Sequence, residues 1–265
     1  MDNCIDLDEP PIFRSEEWIG KKKNYSRKDL PLFVINACNA AFSIPQCEMA
    51  RFPSQDIAVT DLLKKTLPPR SSALVVSNPS TWFSKSPPQT NLSLLTTRPI
   101  PNDDFLDQLE SIKGQAWLNG AQAIIDHRYN DGADLLPLCA LTYWRDMSKV
   151  VKARTAWCKC ERWLAISPDP KLHSIDMTRA FEGACAFLPG LGWNTPVSAL
   201  DKRLTTFEFT NLLGTEWLSG SLMQMMVDHL TARVRADPHP LQSLEAPGSQ
   251  KPSIALLLAR NHIHG

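Results

Sequence analysis

The sequence predicts a mainly α fold with an irregular, proline-rich N-terminal third, and three observations carry the prediction. Between residues 102 and 236, apolar residues recur at the i, i+3, i+4, i+7 spacing of an amphipathic helix. The same stretches are bounded by residues that start and stop helices. Residues 1–101, by contrast, interleave short apolar runs with clusters of Pro, Ser and Thr, and the 265-residue chain holds 21 prolines against 11 glycines, which implies many stiff connections. Three parts are therefore expected: an irregular region over 1–101 with short extended segments, a helical region over 102–190, and a further domain beginning in 191–265.

The N-terminal part opens with "GKKKNYSRK", a basic cluster that reads either as a nuclear-import or phosphate-contacting patch or as solvated lysines. "LPLFVINACNAAFSIP" is apolar, and "LPPRSSALVVSNPSTWFSKSPPQTNLSLLTTRPIPN" is turn-rich; both are expected to form short strands or extended segments and turns. At Asn102 the character changes. Asn102 caps a helix whose first turn carries Asp103 and Asp104, with Phe105, Leu109 and Ile112 at helical spacing before Gly114. Trp117, Ala121, Ile124 and Ile125 give a second apolar stripe, closed by a turn in "YNDGAD". After Pro137 comes the longest periodic segment: Leu141, Trp144, Val151 and Cys158 on one side, with Arg145, Lys149, Lys152 and Lys159 largely on another. "SPDPK" ends it, because closely spaced prolines cannot continue a helix. A helix around Asp176 to Phe187 follows and stops at "LPGLGWNTP".

Composition excludes several function classes. Twenty-eight basic residues balance 28 acidic ones, so no whole-chain field draws the protein to nucleic acid or an anionic membrane. The longest apolar run, "IALLLA", is far shorter than the roughly 20 residues of a membrane span. The acidic N-terminus "MDNCIDLDEPP" has neither the positive region nor the apolar region of a secretory signal. An intracellular protein of nucleus or cytoplasm is expected, with reduced thiols, since seven cysteines is an odd number for a disulfide framework. Cys158 and Cys160, with His173 and Cys185, supply the residue types of a zinc site. On a helix, however, a two-residue step turns about 200° and aims the two thiols at different faces. Cysteine as a small buried apolar residue is the preferred reading. No metal and no cofactor is implied; no Gly-rich phosphate loop, H-E-x-x-H or G-x-S-x-G is present.

"GTEWLSGSLMQMMVDHL", Gly214 to Leu230, carries the sharpest signal. Ser221 and Gln224 have the spacing of a capping box, Leu222, Met225, Met226 and His229 form an apolar stripe, and Asp237-Pro238 ends the helix. "AWLNGAQAIID" at Ala116 to Asp126 echoes "EWLSGSLMQMMVD" at Glu216 to Asp228: both place Trp-Leu-polar-Gly before what reads as an apolar helix.

The order of "LPGLGWN", "TTFEFTNLLGTEWLSG" and a capped apolar helix resembles the entry to the catalytic domain of ubiquitin-like-protein-specific (SUMO-type) cysteine proteases. In that family a Trp-Leu-Asn-Asp-like motif opens the first helix and lines the channel for the substrate's C-terminal tail. Trp217 and Leu218 match it, and Ser219 and Gly220 stand where the family has Asn-Asp. "QAWLNGAQAIID", "YWRDM" and "WCKCERWL" resemble the helical leader of fungal, transposon-associated members, so the resemblance spans about residues 115–238. It implies that Trp217, Leu218 and Ser219 bind substrate, that the partner is a ubiquitin-like modifier protein, and that 191–265 is the truncated start of an α+β cysteine-protease-like domain.

Thiol catalysis also needs an imidazole, an orienting carboxylate and an oxyanion donor. In the family these lie after the entry helix, whereas this sequence has no Cys after Cys185, and neither His262 nor His264 is followed by Trp. No catalytic residue is therefore carried over. Cys185, His173 and Asp176 have the residue types of a local triad, but chance supplies such a set in a chain with seven Cys and six His. Two readings remain open: a relative of the SUMO-type cysteine peptidases, truncated and inactive as this chain, or a non-catalytic helical interaction module, nuclear if the basic cluster directs import.

Overall fold

The computed structural model describes residues 12–21, 30–71, 78–129, 134–165, 175–197 and 205–211, together with helical positions 220, 223–224, 226–228 and 231–232. The described residues are mostly helical, with one small antiparallel sheet. The chain divides into two compact units, one made of Met1–Phe52 with Leu67–Val151 and the other of Pro53–Thr66 with Lys152–Gly265.

In the first unit, α1 (Ser15–Trp18), α2 (Leu32–Phe42) and α3 (Gln46–Met49) precede two capped 3-10 turns. Helix α2 corrects the extended reading of "LPLFVINACNAAFSIP". Val34, Cys38 and Phe42 recur every four residues, the spacing of one helical face, and Val34 and Phe42 are buried on it. Pro31 precedes the helix with φ −57°, where its missing N–H takes nothing from the ladder. The turns at Pro79–Trp82 and Leu92–Thr96 are capped by Asn78 and Asn91, whose side chains accept from the backbone of Ser80 and Ser93. Turn chemistry in this region thus closes short helical turns as well as extended segments.

Helix α5 (Asp103–Leu118) begins as the sequence predicts, with Asn102 Oδ1 accepting the Phe105 N–H at 2.8 Å. Its end differs. The helix runs through Gly114 and stops at Gly120, which has φ +97°. Ala121 N–H reaches the Ala116 carbonyl at 3.0 Å and Gly120 N–H reaches that of Trp117 at 2.9 Å, the paired bonds of a Schellman stop. "WLNG" therefore closes a helix here, and the expected stripe Trp117, Ala121, Ile124 and Ile125 belongs to a helix end and a strand. Ala-for-Asn at position 102 should cost about 1 kcal/mol, measurable as a lowered urea midpoint with unchanged m-value.

The sheet has the order β1 (Phe83–Ser84), β2 (Ala123–Ile125), β3 (Leu135–Pro137), with Phe83 opposite Ile124 and Ile124 opposite Leu136. Phe105 and Leu109 of α5 are buried, as are Leu141 and Trp144 of helix α6 (Ala140–Ala165). Trp82 meets Phe105 edge-on at 4.7 Å and Trp144 at 6.3 Å, a geometry in which positive ring edges face negative ring faces.

Helix α6 (Ala140–Ala165) is continuous over the segment predicted. Its buried face is displaced from the expected one beyond Trp144: Met147, Val150, Ala153, Trp157, Cys160 and Leu164 are buried, while Val151 and Cys158 are half-buried. Apolar residues stand on more than one face of this helix, so periodicity alone selected a neighbouring stripe. Lys149, Lys152 and Lys159 are exposed as expected.

The second unit contains α4 (Val59–Lys64), the C-terminal half of α6, α7 (Ile175–Phe187) and the 3-10 turns Leu188–Gly190 and Thr206–Asn211. Helix α7 matches the predicted one. Residues 191–194 run antiparallel along 55–59: Val59 N–H bonds the Leu191 carbonyl at 2.8 Å, Trp193 N–H that of Ile57 at 3.0 Å and Asn194 N–H that of Gln55 at 3.1 Å. Two indoles extend this contact, Trp157 Nε1 donating to the Trp193 carbonyl at 3.1 Å and Trp193 Nε1 to that of Ser54 at 2.7 Å. A Cβ on Gly192 would lie 3.1 Å from the Asp56 carbonyl oxygen and 3.2 Å from its Cα. Gly192→Ala should therefore lower stability by about 1–3 kcal/mol, read as a shifted urea midpoint.

Candidate functional site

The residue that follows β2 enters a polar and aromatic cluster of the first unit. Asp126 follows Ile125 directly and is wholly buried. A carboxylate without water needs an ionised partner, and the chain supplies one two residues on. Arg128 Nε donates to Asp126 Oδ1 at 2.8 Å and Nη2 to Oδ2 at 2.7 Å, while the Arg128 backbone N–H reaches Oδ1 at 3.2 Å. This is a two-pronged, charge-assisted contact. With both oxygens engaged, Asp126 serves to aim the guanidinium.

Arg128 lies among aromatic rings, its Cζ 5.5 Å from the Tyr129 centroid, 5.7 Å from Trp144 and 5.9 Å from Trp82. Arg98 approaches Tyr129 as well, with Cζ 4.6 Å from the ring and Nη2 2.6 Å from Asp134 Oδ2. His127 packs edge-on to Trp82 at 5.7 Å, and its Nε2 lies 3.0 Å from the Thr81 carbonyl, which fixes that nitrogen as the donor. Three N–H groups of this cluster, Arg98 Nη1, Arg128 Nη1 and Trp144 Nε1, are buried without a hydrogen-bond acceptor.

A separate groove of about 490 Å³ lies between α1 and the end of α5. Phe13, Ile19 and Trp117 give it apolar walls; Ser15, Glu16 and Gln122 give it a polar rim. The rings of Phe13 and Trp117 are 5.0 Å apart.

The thiols follow the small-apolar reading where they are buried. Cys160 Sγ donates to the Thr210 carbonyl at 3.5 Å, and burial pushes its pKa up to about 11. Burial raises the Cys139 thiol too. Neither is a thiolate near neutrality, so neither is a ready nucleophile or metal ligand. Because Cys160 is more acidic unfolded, where the ordinary value is 9.0, the unfolded chain binds fewer protons above that pH. Stability should then fall by up to about 1.4 kcal/mol per pH unit as pH rises from about 9 towards about 11. Urea midpoints of the parent and Cys160→Ala across that range check this: the parent should lose more.

Cys158 is half-buried and Cys185 exposed, whereas His173 and the side chain of Asp176 lie outside the described residues. Among the described residues, no three His, Cys, Asp or Glu side chains come together in a way that could hold a metal ion. Trp217, Leu218 and Ser219 also lie outside the described residues, as do Ser221, Leu222, Met225 and His229. Positions 220, 223–224, 226–228 and 231–232 are helical, in keeping with a helix after the Trp-Leu motif, but because position 220 is already helical the helix does not start at Ser221 as the capping-box spacing predicts. Gln224 Nε2 donates to Asp228 Oδ1 at 2.8 Å, and Met226, from the expected apolar stripe, is half-buried. Met223 and Val227, one turn apart on this helix, are each about half exposed.

The sequence reasoning missed the Asp126–Arg128 site. The usable signal was "AIIDHR": a carboxylate ending an apolar strand-like run is headed for the interior, and the arginine two residues later is the nearest cation able to follow it. No family model matches the chain, and neither does any curated protein or solved structure.

Proposed function

We propose that this chain acts as a non-catalytic helical binding module for a protein partner, and that the partner is a ubiquitin-like modifier. The observation that carries the non-catalytic half is that no Cys follows Cys185 where the resemblance would place a nucleophile; of the described thiols, Cys139 and Cys160 are buried and held protonated, while Cys47 and Cys185 are exposed. The modifier comes from the resemblance at Trp217, Leu218 and Ser219 to the entry of SUMO-type cysteine peptidases. In this proposal the kinship with those peptidases supplies a contact surface and no hydrolysis. The helical positions that follow the motif support the same reading, since an exposed Met223 and Val227 leave apolar surface open to a partner.

The test is a binding titration of the full chain with a panel of ubiquitin-like modifiers, followed by interferometry and by gel for cleavage of modifier fusions. Saturable binding of one member, with every fusion left intact, is the expected result. Absence of binding across the panel would remove the partner assignment, and fusion cleavage would remove the non-catalytic one. Trp217→Ala in the same titration should lower affinity. A ring fully buried on folding would also cost about 3–5 kcal/mol of stability on truncation, read from the urea midpoint. An unchanged midpoint with lost binding would make Trp217 a groove residue alone.

A further inference from the structure

We propose that the arginine–aromatic cluster at the end of β2 is a binding site for a small oxyanion, held by Arg98 Nη1, Arg128 Nη1 and Trp144 Nε1. Buried polar groups in proteins almost always have partners, so each exception calls for an absent acceptor. Of the four such atoms among the described residues, one is the Tyr143 hydroxyl, which can also accept, and the other three are of one kind. All three atoms are donors with no lone pair to offer, and all three belong to a single cluster in which both guanidinium groups approach the ring of Tyr129 and one approaches Trp144.

Among the described residues, the two carboxylates of the cluster do not meet this demand. Asp126 spends both oxygens on Nε, Nη2 and the backbone N–H of Arg128, and Asp134 takes Nη2 of Arg98. The rings of Trp82, Trp144 and Tyr129 accept part of the cationic charge through their faces but offer no oxygen to the N–H directions left over. A group that only accepts, and that carries negative charge, fits five N–H hydrogens better than water, which must also place two hydrogens of its own. Fixed donors in aromatic, low-dielectric surroundings strengthen such a contact. Asp126 and Asp134 neutralise the two guanidinium charges, so the leftover N–H donors rather than net charge would hold the ion. The burial of the three nitrogens selects a small ion over a macromolecule. This site is independent of the binding-module reading and of Trp217.

The experiment uses the full chain with sodium phosphate, sodium sulfate and sodium chloride at matched ionic strength. Thermal midpoint, tryptophan fluorescence and the 31P linewidth of phosphate are read together. The expected result is a saturable rise in midpoint and a 31P broadening with phosphate that chloride does not reproduce. Arg98→Lys keeps a cation for Asp134 and removes the free guanidinium arm, so it should weaken phosphate binding at least tenfold. If that variant does not fold, Trp144→Phe removes only the indole donor and should weaken binding severalfold. A parent chain whose midpoint and linewidth follow ionic strength alone would overturn the proposal, with water as the acceptor. Variants that bind phosphate as tightly as the parent would overturn it as well.

Discussion

Arg128→Ala should destabilise the chain by about 3–5 kcal/mol, because it strands the wholly buried Asp126 carboxylate with no cation. For a protein whose whole stability is of order 5–15 kcal/mol, that is enough to populate the unfolded state in mild urea. The same logic makes the paired replacement informative. Asp126→Leu with Arg128→Met removes both charges together, so it should recover most of the loss, since apolar residues of similar volume often replace a buried ion pair without penalty. A single Arg128→Ala variant as stable as the parent would mean that water reaches Asp126 once the guanidinium is gone. Equilibrium urea unfolding followed by circular dichroism distinguishes the two cases.

Trp157→Ala should cost a similar 3–5 kcal/mol through a different cause, the cavity left by a fully buried indole. Trp157 sits on α6 within the second unit and donates to the Trp193 carbonyl, and Trp193 in turn donates to that of Ser54. Removing the first ring therefore takes away packing and leaves the Trp193 carbonyl without this donor. Trp157→Phe separates the contributions: it keeps much of the volume and loses the N–H, so the expected loss is smaller, about 1–3 kcal/mol. Equal losses for Ala and Phe would place the whole effect in the hydrogen bond.

The elements legible in the sequence were those in which local signals agreed. Asn102, its acidic first turn and Phe105 with Leu109 announced α5, and the indicated cap bond is present. Pro137 and the long periodic run announced α6, and "LPG" announced the end of α7. Where signals competed, the stronger local device won. Gly114 looked like a helix end, but glycine in a helix only weakens it, and the Schellman bonds at Gly120 set the true stop. That shift turned an expected helical stripe into β2, whose pairing partners Phe83 and Leu136 are about 40 and 12 residues distant. Strand pairing of this kind has no local signature. In "LPLFVINACNAAFSIP" the apolar run reads as an extended segment, yet the four-residue spacing of Val34, Cys38 and Phe42 supports α2.

The candidate sites were less legible still. The Asp126–Arg128 contact is close in sequence, but its meaning comes from Trp82 and Trp144, which tertiary packing brings to it. Trp217, Leu218 and Ser219 were readable only through resemblance, and the central functional claim therefore needs a direct chemical test. That test is to incubate the full chain with ubiquitin-like modifiers carrying a C-terminal electrophile and to weigh the intact protein by mass spectrometry. The account predicts an unchanged mass for every probe. A gain of one modifier on Cys185, or on any other cysteine, would contradict it and make the chain a thiol enzyme.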